Sequence, residues 1–257
     1  MDVLKREIDE VYTSHLIDVA RLDYTVRDKQ YAFVRSLVLI SGGCAVISDV
    51  SDRTSRIAVS PDANFLGLKS EEMKKQSIDS MDEDYIYCRI HPEDLVEKRL
   101  LEYKFFQKTF ALPASERLKY RGRCRLRMLN AQGEYQYVDN LVQIMQNTPD
   151  GKAWLILCLY ELSANQHPAL DISPTITHME RGEIETLSLK QETNSILSER
   201  EKEILELIRK GMRSKEIASE LHISINTVNR HRQNILSKLS VSNSIEACRA
   251  AEIMKLF

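Results

Sequence analysis

The sequence has no long apolar run, few cysteines and almost no net charge. The longest uninterrupted apolar stretch, residues 153–160, is far shorter than the ~20 residues that span a bilayer, and the polar start MDVLKREIDE does not resemble a signal peptide. The five cysteines lie far apart without a C-x-x-C pair, which favours buried thiols in a reducing compartment over disulfides or a zinc site. A net charge of −2 excludes a uniformly basic nucleic-acid-coating protein. We therefore expect a cytoplasmic protein with no membrane partner.

The 257 residues are 43% hydrophobic and 29% charged, as in a globular protein of about two domains. The charge is uneven, because residues 209–238 hold seven basic residues against two acidic ones. A basic patch on an acidic protein indicates an anion-binding face. A solvated helical surface explains the same charges, and charge alone leaves both interpretations open.

The last 60 residues predict four helices. Ser198 and Glu201 have the spacing of a capping box, and the apolar residues Ile204, Leu207 and Ile208 follow at helical intervals. The other signals are a stop at Gly211, a cap at Ser214, a tight connection at His222-Ile223, a cap at Ser224 for a third helix to about Leu239, and a cap at Asn243 for the fourth.

The third predicted helix has two chemically distinct faces at 100° per residue. Its buried stripe is expected to hold Val228, Ile235, Leu236 and Leu239. The opposite face holds Asn226, Asn229, Arg230 and Gln233, whose amide and guanidinium groups are those that read base edges. Thr227, Asn234 and Lys238 lie on a flank suited to phosphate contacts. Arg232 falls on the core side, where either its stem packs or its head reaches a phosphate. The pattern is that of a helix-turn-helix, although a helical bundle with a polar outer face also fits it.

This C-terminal stretch resembles the LuxR/GerE-type DNA-binding domain. The resemblance spans about 60 residues and rests on the motifs L-S-x-R-E-x-E-I-L, K-E-I-A, L-x-I-S, T-V-x-x-H and N-I-x-x-K-L-x-V. It implies an all-α domain of four helices whose third helix enters the major groove of double-stranded DNA. Base contacts then fall on Asn229, Arg230 and Gln233, and backbone contacts on Lys215, Thr227, Arg232, Asn234 and Lys238.

The resemblance also implies that the fourth helix joins two subunits of a homodimer. This helix shows two apolar stripes, one for the core and one for the partner: Ile245, Cys248 and Ala251, and Ala247, Ala250 and Met254. We assign the second stripe to the dimer contact. Many members carry an arginine where this chain has Asn243-Ser244, which puts one phosphate contact in doubt.

The N-terminal part predicts an antiparallel sheet with helices. An amphipathic helix is expected over residues 1–22 and another from Pro92 to Lys108, with short strands at 44–48 and 56–59. Tyr120–Met128 alternates strictly between arginines and apolar or small residues, and turns at 130–133 and 148–151 connect it to strands at 135–146 and 153–160. The three strands form a meander.

This order of elements resembles a PAS domain, which covers roughly residues 40–162. The motifs are NFLGLKSEEM at 64–73, IHPEDL at 90–95 and a terminal R-x-R-x5-G-E-Y-x-Y-V hairpin. The resemblance implies a signal-sensing module that often dimerises, and leaves its small-molecule effector and any cofactor unknown. His91, in the H-P-E-D turn, is favoured as a structural helix start over a haem ligand.

The arginines at 121, 123, 125 and 127 share one face of the alternating strand. Our hypothesis is that they pair with acids of the N-terminal helix (Glu7, Asp9 and Glu10) or of the segment 79–84. Residues 163–195 form a linker that is either a flexible tether or, through 175–177 and 184–189, an ordered hairpin.

No hydrolase, nucleotide-binding or zinc-protease motif is found in the sequence, so we expect no enzyme and no metal site. The predicted domains are an N-terminal helical segment (1–39), a PAS-like sensor (40–162), the linker (163–195) and a LuxR-type helix-turn-helix domain (196–257). The sequence therefore predicts a bacterial transcription regulator that binds DNA as a dimer under control of a sensor. Alternatively, the PAS-like half is a dimerisation or docking module without a ligand.

Overall fold

The computed structural model describes residues 8, 12, 17–67, 84–169, 171–187, 197–238 and 243–253. The chain divides into two compact units, the first ending at Thr186 and the second beginning at Leu187. No helix within these described ranges has the length and apolar character needed to cross a membrane.

The first unit is built on one sheet of seven strands in the order β2-β1-β5-β4-β3-β6-β7, each antiparallel to its neighbours. The strands are β1 (Cys44–Asp49), β2 (Thr54–Val59), β3 (Tyr120–Leu129), β4 (Tyr135–Asn147), β5 (Ala153–Leu162), β6 (Thr175–His178) and β7 (Glu183–Thr186). The predicted strands and the β3-β4-β5 meander are confirmed.

Four described α-helices accompany the sheet: α1 (Tyr24–Ser41), α2 (Asp84–Tyr87), α3 (Pro92–Phe110) and α4 (Ala114–Arg117). The buried side chains of α1 pack on β1 and β5 in a cluster that includes Val34, Val38, Ala45 and Leu157. On β3, a Cβ at Gly122 would lie 2.6 Å from Val142 and 3.4 Å from Leu101 of α3. Glycine at this position therefore leaves room for the Val142 side chain on the neighbouring strand β4, and Leu101 of α3 is at ordinary contact distance.

The predicted helix over residues 1–22 is wrong at its C-terminal end. Val19–Arg21 is a 3-10 turn capped by Asp18, and α1 begins after Asp23, whose carboxylate accepts the Thr25 N–H at 2.9 Å. Asp18 and Asp23 each cap the start of a separate element, and two such caps five residues apart interrupt a continuous helix. Of residues 1–16, all but Ile8 and Tyr12 lie outside the described residues.

The arginine face of β3 finds different partners from those we predicted. Arg127 pairs with Asp94 and Glu93 at the start of α3, and the guanidinium of Arg125 donates to the carbonyl oxygen of Asn165 at 2.8 Å. The acids observed beside Arg127 belong to α3, because Ile90 bridges Met128 and brings this helix beside the strand. The acids at 7, 9, 10 and 79–83 lie outside the described residues.

Residues 175–186 form the antiparallel hairpin β6–β7, and β6 extends the sheet beside β3. Ion pairs connect the hairpin to the rest of the unit. Lys119 binds Glu180 at 2.8 Å, Lys108 binds Glu185 at 2.6 Å, and the buried His178 lies 3.4 Å from Glu116. The segment therefore belongs to the sheet in this structure.

The second unit is helical, with α5 (Glu199–Arg209), α6 (Ser214–Glu220), α7 (Ile225–Lys238) and α8 (Ser244–Ile253). Its core is formed by Leu197, Ile204, Leu205, Ile217, Ala218, Val228, Ile235, Ala247 and Ala251. Together with the helix-flanked sheet of the first unit, this confirms the predicted fold class.

Local start signals place these helices. The capping box is confirmed, since Ser198 Oγ accepts the Glu201 N–H and Glu201 Oε2 accepts the Ser198 N–H at 2.7 Å. The predicted cap at Ser214 is wrong by one position. Arg213 precedes the helix, and its N–H is bound by Glu216 Oε2 at 2.6 Å. A glutamate three residues after the cap thus sets this start more strongly than the serine.

Candidate nucleic-acid interface

The outer face of α7 presents hydrogen-bonding side chains to solvent. Asn229, Arg230 and Gln233 are exposed, while Val228 and Ile235 on the opposite face are buried. Asn226 shares the outer face and is exposed as well. The exposed and buried faces of α7 are therefore those that helical periodicity predicts.

The turn between α6 and α7 fixes the position of that outer face. His222 adopts a left-handed φ of 52°, and the N–H of Ile223 binds the carbonyl oxygen of Ala218 at 3.0 Å. Arg200 of α5 donates to the carbonyl oxygen of Leu221 at 3.1 Å. This contact ties the turn to the first helix. Arg200 is the arginine of the L-S-x-R-E-x-E-I-L motif, but the motif alone did not indicate this role.

Four of the five predicted phosphate contacts are exposed, namely Lys215, Thr227, Asn234 and Lys238. Lys215 lies in the first turn of α6, and Thr227 and Asn234 lie on one flank of α7. Ser224 caps α7 by accepting the Thr227 N–H at 3.1 Å, and the two hydroxyls lie 2.8 Å apart. The Thr227 hydroxyl is thus held at the start of the helix that carries the outer face.

Lys238 has a partner within the domain. Its ammonium group binds Glu201 Oε2 at 2.7 Å, and Glu201 is the same residue that closes the capping box of α5. Lys238 therefore joins the end of α7 to the start of α5, and its contact with a DNA phosphate remains a prediction. Burial alone would raise the pKa of Glu201, but the hydrogen bonds from Lys238 and Ser198 outweigh it and lower that pKa.

We expect this carboxylate to make the second unit sensitive to acid. Because the pKa of Glu201 is lowered in the folded state, its stabilising contribution is full above the ordinary glutamate pKa of about 4.3 and is lost as the pH falls through the lower folded value. Urea unfolding followed by helix circular dichroism between about pH 6 and pH 3 should show this loss. Glu201→Gln should remove that part of the pH dependence, and an unchanged dependence would contradict the assignment.

Arg232 also has a partner within the domain. Its guanidinium Nη2 donates to Ser244 Oγ at 2.8 Å, so the half-buried side chain reaches the start of α8. The sequence left open whether the stem of Arg232 packs on the core or its guanidinium reaches around α7 to a phosphate. The guanidinium does reach around the helix, and its partner in the structure is the Ser244 hydroxyl. Its contact with DNA remains a prediction.

The predicted dimer contact requires a correction at Ala247, which is buried in the core of its own domain together with Ala251. The two alanines are four residues apart and therefore lie only about 40° apart around the helix, on one face. Our division into two stripes separated them wrongly. The side chain of Ala250, and the whole of Met254, lie outside the described residues. Ile245 is 71% exposed.

Among the described residues, no group of three or more His, Cys, Asp or Glu side chains is placed to hold a metal ion. His91 caps the start of α3, where its Nδ1 accepts the Glu93 N–H at 3.4 Å.

Comparison with known proteins assigns the second unit. Residues 195–251 match the family described as bacterial regulatory proteins, luxR family. The response regulator protein VraR of Staphylococcus aureus and of Staphylococcus saprophyticus is 52% identical over 58 residues, which is 23% of this chain. The match covers only 28% of the length of those regulators.

Three solved structures that the chain aligns with all have TM-scores below 0.5. The Vibrio cholerae VqmA dimer determined without target DNA is 15% identical, covers 89% of this chain and 88% of its own, and has a TM-score of 0.32. The phage VqmA–DPO complex is 16% identical (90% and 91%, TM-score 0.28), and Escherichia coli SdiA is 17% identical (66% and 94%, TM-score 0.25). On the family match and its own helices, the C-terminal part of this chain is a LuxR-family helix-turn-helix domain.

Proposed function

We propose that this protein is a transcription regulator that reads an operator sequence through α7 and is controlled by its N-terminal half. The observation that carries the proposal is the exposed face of Asn229, Arg230 and Gln233 in a LuxR-family domain. Arginine is bidentate to guanine, and asparagine or glutamine is bidentate to adenine. Three such groups on one exposed face supply enough directional contacts to distinguish a short sequence.

Arg230→Ala is the direct test of sequence reading. We expect it to weaken binding to the preferred operator by ~1–3 kcal/mol, or roughly 5- to 150-fold, while binding to unrelated DNA changes little. The matched variant Lys215→Ala should weaken binding to all sequences alike and reduce the salt dependence. Fluorescence anisotropy with operator and scrambled duplexes measures both. Full operator preference in Arg230→Ala would overturn the role of this residue.

We propose further that the protein binds a two-half-site operator as a dimer. Half-sites about one helical turn apart match the two-fold symmetry of a dimer. The match of the C-terminal domain to the luxR family supports a subunit contact through α8.

The first unit is proposed to sense a signal, with a small-molecule effector as its ligand. A second candidate is the dimerisation or docking module, which the exposed apolar side chains Phe33, Leu39 and Ile40 on α1 favour. Native mass spectrometry of the full-length chain separates the two. A discrete retained mass on each subunit supports the sensor, and a dimer of bare chains supports the module.

A further inference from the structure

A groove of about 650 Å³ opens on the second unit where the α5–α6 turn, α7 and α8 meet. Three arginines line it, namely Arg209 at the end of α5, Arg213 before α6 and Arg232 on α7. Ser214 and Ser244, the first residues of α6 and α8, complete its polar rim. In the sequence, Arg209 and Arg213 stand out only as two of the seven basic residues of segment 209–238.

The groove is strongly cationic. None of the described residues that line it carries a carboxylate. Arg209 is held by Glu206 at 2.8 Å, which offsets part of one charge. Arg232 binds the Ser244 hydroxyl, a neutral group, so that contact orients the guanidinium without neutralising it. With five N–H donors, an arginine oriented in this way keeps donors for an anion.

The groove lies beside the outer face of α7. Around the helix, Arg232 and Thr227 lie about 110° to either side of the middle of the face formed by Asn229, Arg230 and Gln233. A helix ~10–12 Å in diameter nearly fills a major groove ~12 Å wide, so the backbones of both DNA strands pass along its flanks. Thr227 and Asn234 serve one flank, and the arginine groove occupies the other.

From this placement we infer that the arginine groove formed by Arg209, Arg213 and Arg232 binds backbone phosphate on the second strand of the operator. This inference rests on the proposed function, because it assumes that α7 enters the major groove. The Arg232–Ser244 contact then sets the register of the second strand, and Arg209 and Arg213 supply charge from the α5–α6 turn. The groove adds affinity without reading bases, since phosphate contacts carry no sequence information.

The test is the salt dependence of operator binding by the full-length chain. The double variant Arg209→Ala/Arg213→Ala keeps the Arg232–Ser244 contact intact. We expect the slope of log K against log salt to fall by roughly 0.9 for each phosphate that the variant no longer neutralises, with the preference for operator over scrambled DNA unchanged. Lys210→Ala is the control, because it removes a neighbouring charge that does not line the groove. The salt slope of this variant should fall less than that of the double variant. Arg232→Gln should reproduce the reduced slope.

The outcomes separate the groove from the proposed function. If the double variant keeps the wild-type slope while Arg230→Ala loses operator preference, the groove inference fails and the function stands. If Arg230→Ala keeps its preference, the assignment of the base-reading face fails irrespective of the groove. Calorimetry with inorganic pyrophosphate, in the absence of DNA, tests whether the groove binds a free phosphate anion instead of the DNA backbone. Pyrophosphate binding that the double variant abolishes, together with an unchanged salt slope, would overturn the DNA contact in favour of a free anion.

Discussion

Replacing Lys98 with methionine is expected to destabilise the first unit by about 3–5 kcal/mol. Lys98 is fully buried on α3, and its ammonium binds the buried carboxylate of Glu102 one helical turn later and the hydroxyl of Tyr87 at 3.2 Å. The Tyr87 hydroxyl in turn donates to Glu102 Oε1 at 2.9 Å. Removing the cation leaves the Glu102 carboxylate in the interior with the Tyr87 phenol and the weak thiol donor of Cys158 as neutral partners, and breaking one half of a buried ion pair in this way is costly.

The double variant Lys98→Met/Glu102→Leu is the matched control. Replacing both members of a buried ion pair with apolar residues of similar size is often close to neutral, so we expect it to recover most of the stability. Urea unfolding followed by Trp154 fluorescence measures this, since Trp154 is the only tryptophan and is buried in the first unit. Equal stability of the single and double variants would show that the pair is not what the single change disrupts.

Arg117→Met is expected to cost at least about 2 kcal/mol, because the carbonyl oxygens of Leu112 and Gly151 lose their donor at ~1–3 kcal/mol each. The buried guanidinium donates to the carbonyl oxygens of Thr109 at 3.0 Å, Leu112 at 3.0 Å and Gly151 at 2.9 Å. A fourth carbonyl, of Phe110, lies at 3.3 Å. One side chain thus joins the end of α3 to the β4–β5 turn, and no apolar side chain supplies these donors.

The same Trp154 fluorescence experiment measures this destabilisation. Arg123→Met, an exposed arginine on β3, is the control and should change stability by less than about 0.5 kcal/mol. Burial lowers the pKa of Arg117, but an arginine remains charged throughout the accessible pH range, so the destabilisation should not depend on pH. A cost for Arg117→Met no greater than for Arg123→Met would contradict its role as the bridge between these segments.

Local signals sufficed where a segment's own periodicity determines its structure. The alternation at 120–128 predicted β3, and the spacing of Ser198 and Glu201 predicted the start of α5. The exposed and buried faces of α7 followed from 100° per residue. Each of these inferences needs only neighbours within a few residues in the chain.

The sequence did not reveal which distant residues are partners. Nothing near Lys238 indicates Glu201, 37 positions away, and nothing near Arg232 indicates Ser244. Both arginine and lysine on a helix-turn-helix are compatible with phosphate binding, so their pairing within the domain appears only once the helices are packed. The buried Lys98 was hidden for the same reason, because a lysine and a glutamate four residues apart usually form an exposed pair.

Selection of DNA from a random duplex library by the full-length wild-type chain tests the central claim most directly. If α7 reads base edges in a dimer, the selected fragments should share two half-sites of related sequence whose centres lie about one helical turn, ~10 bp, apart or a multiple of it. Arg230→Ala should then lose preference at particular positions within each half-site. Recovery of fragments without a common sequence, bound with the same affinity as the starting library, would contradict the claim.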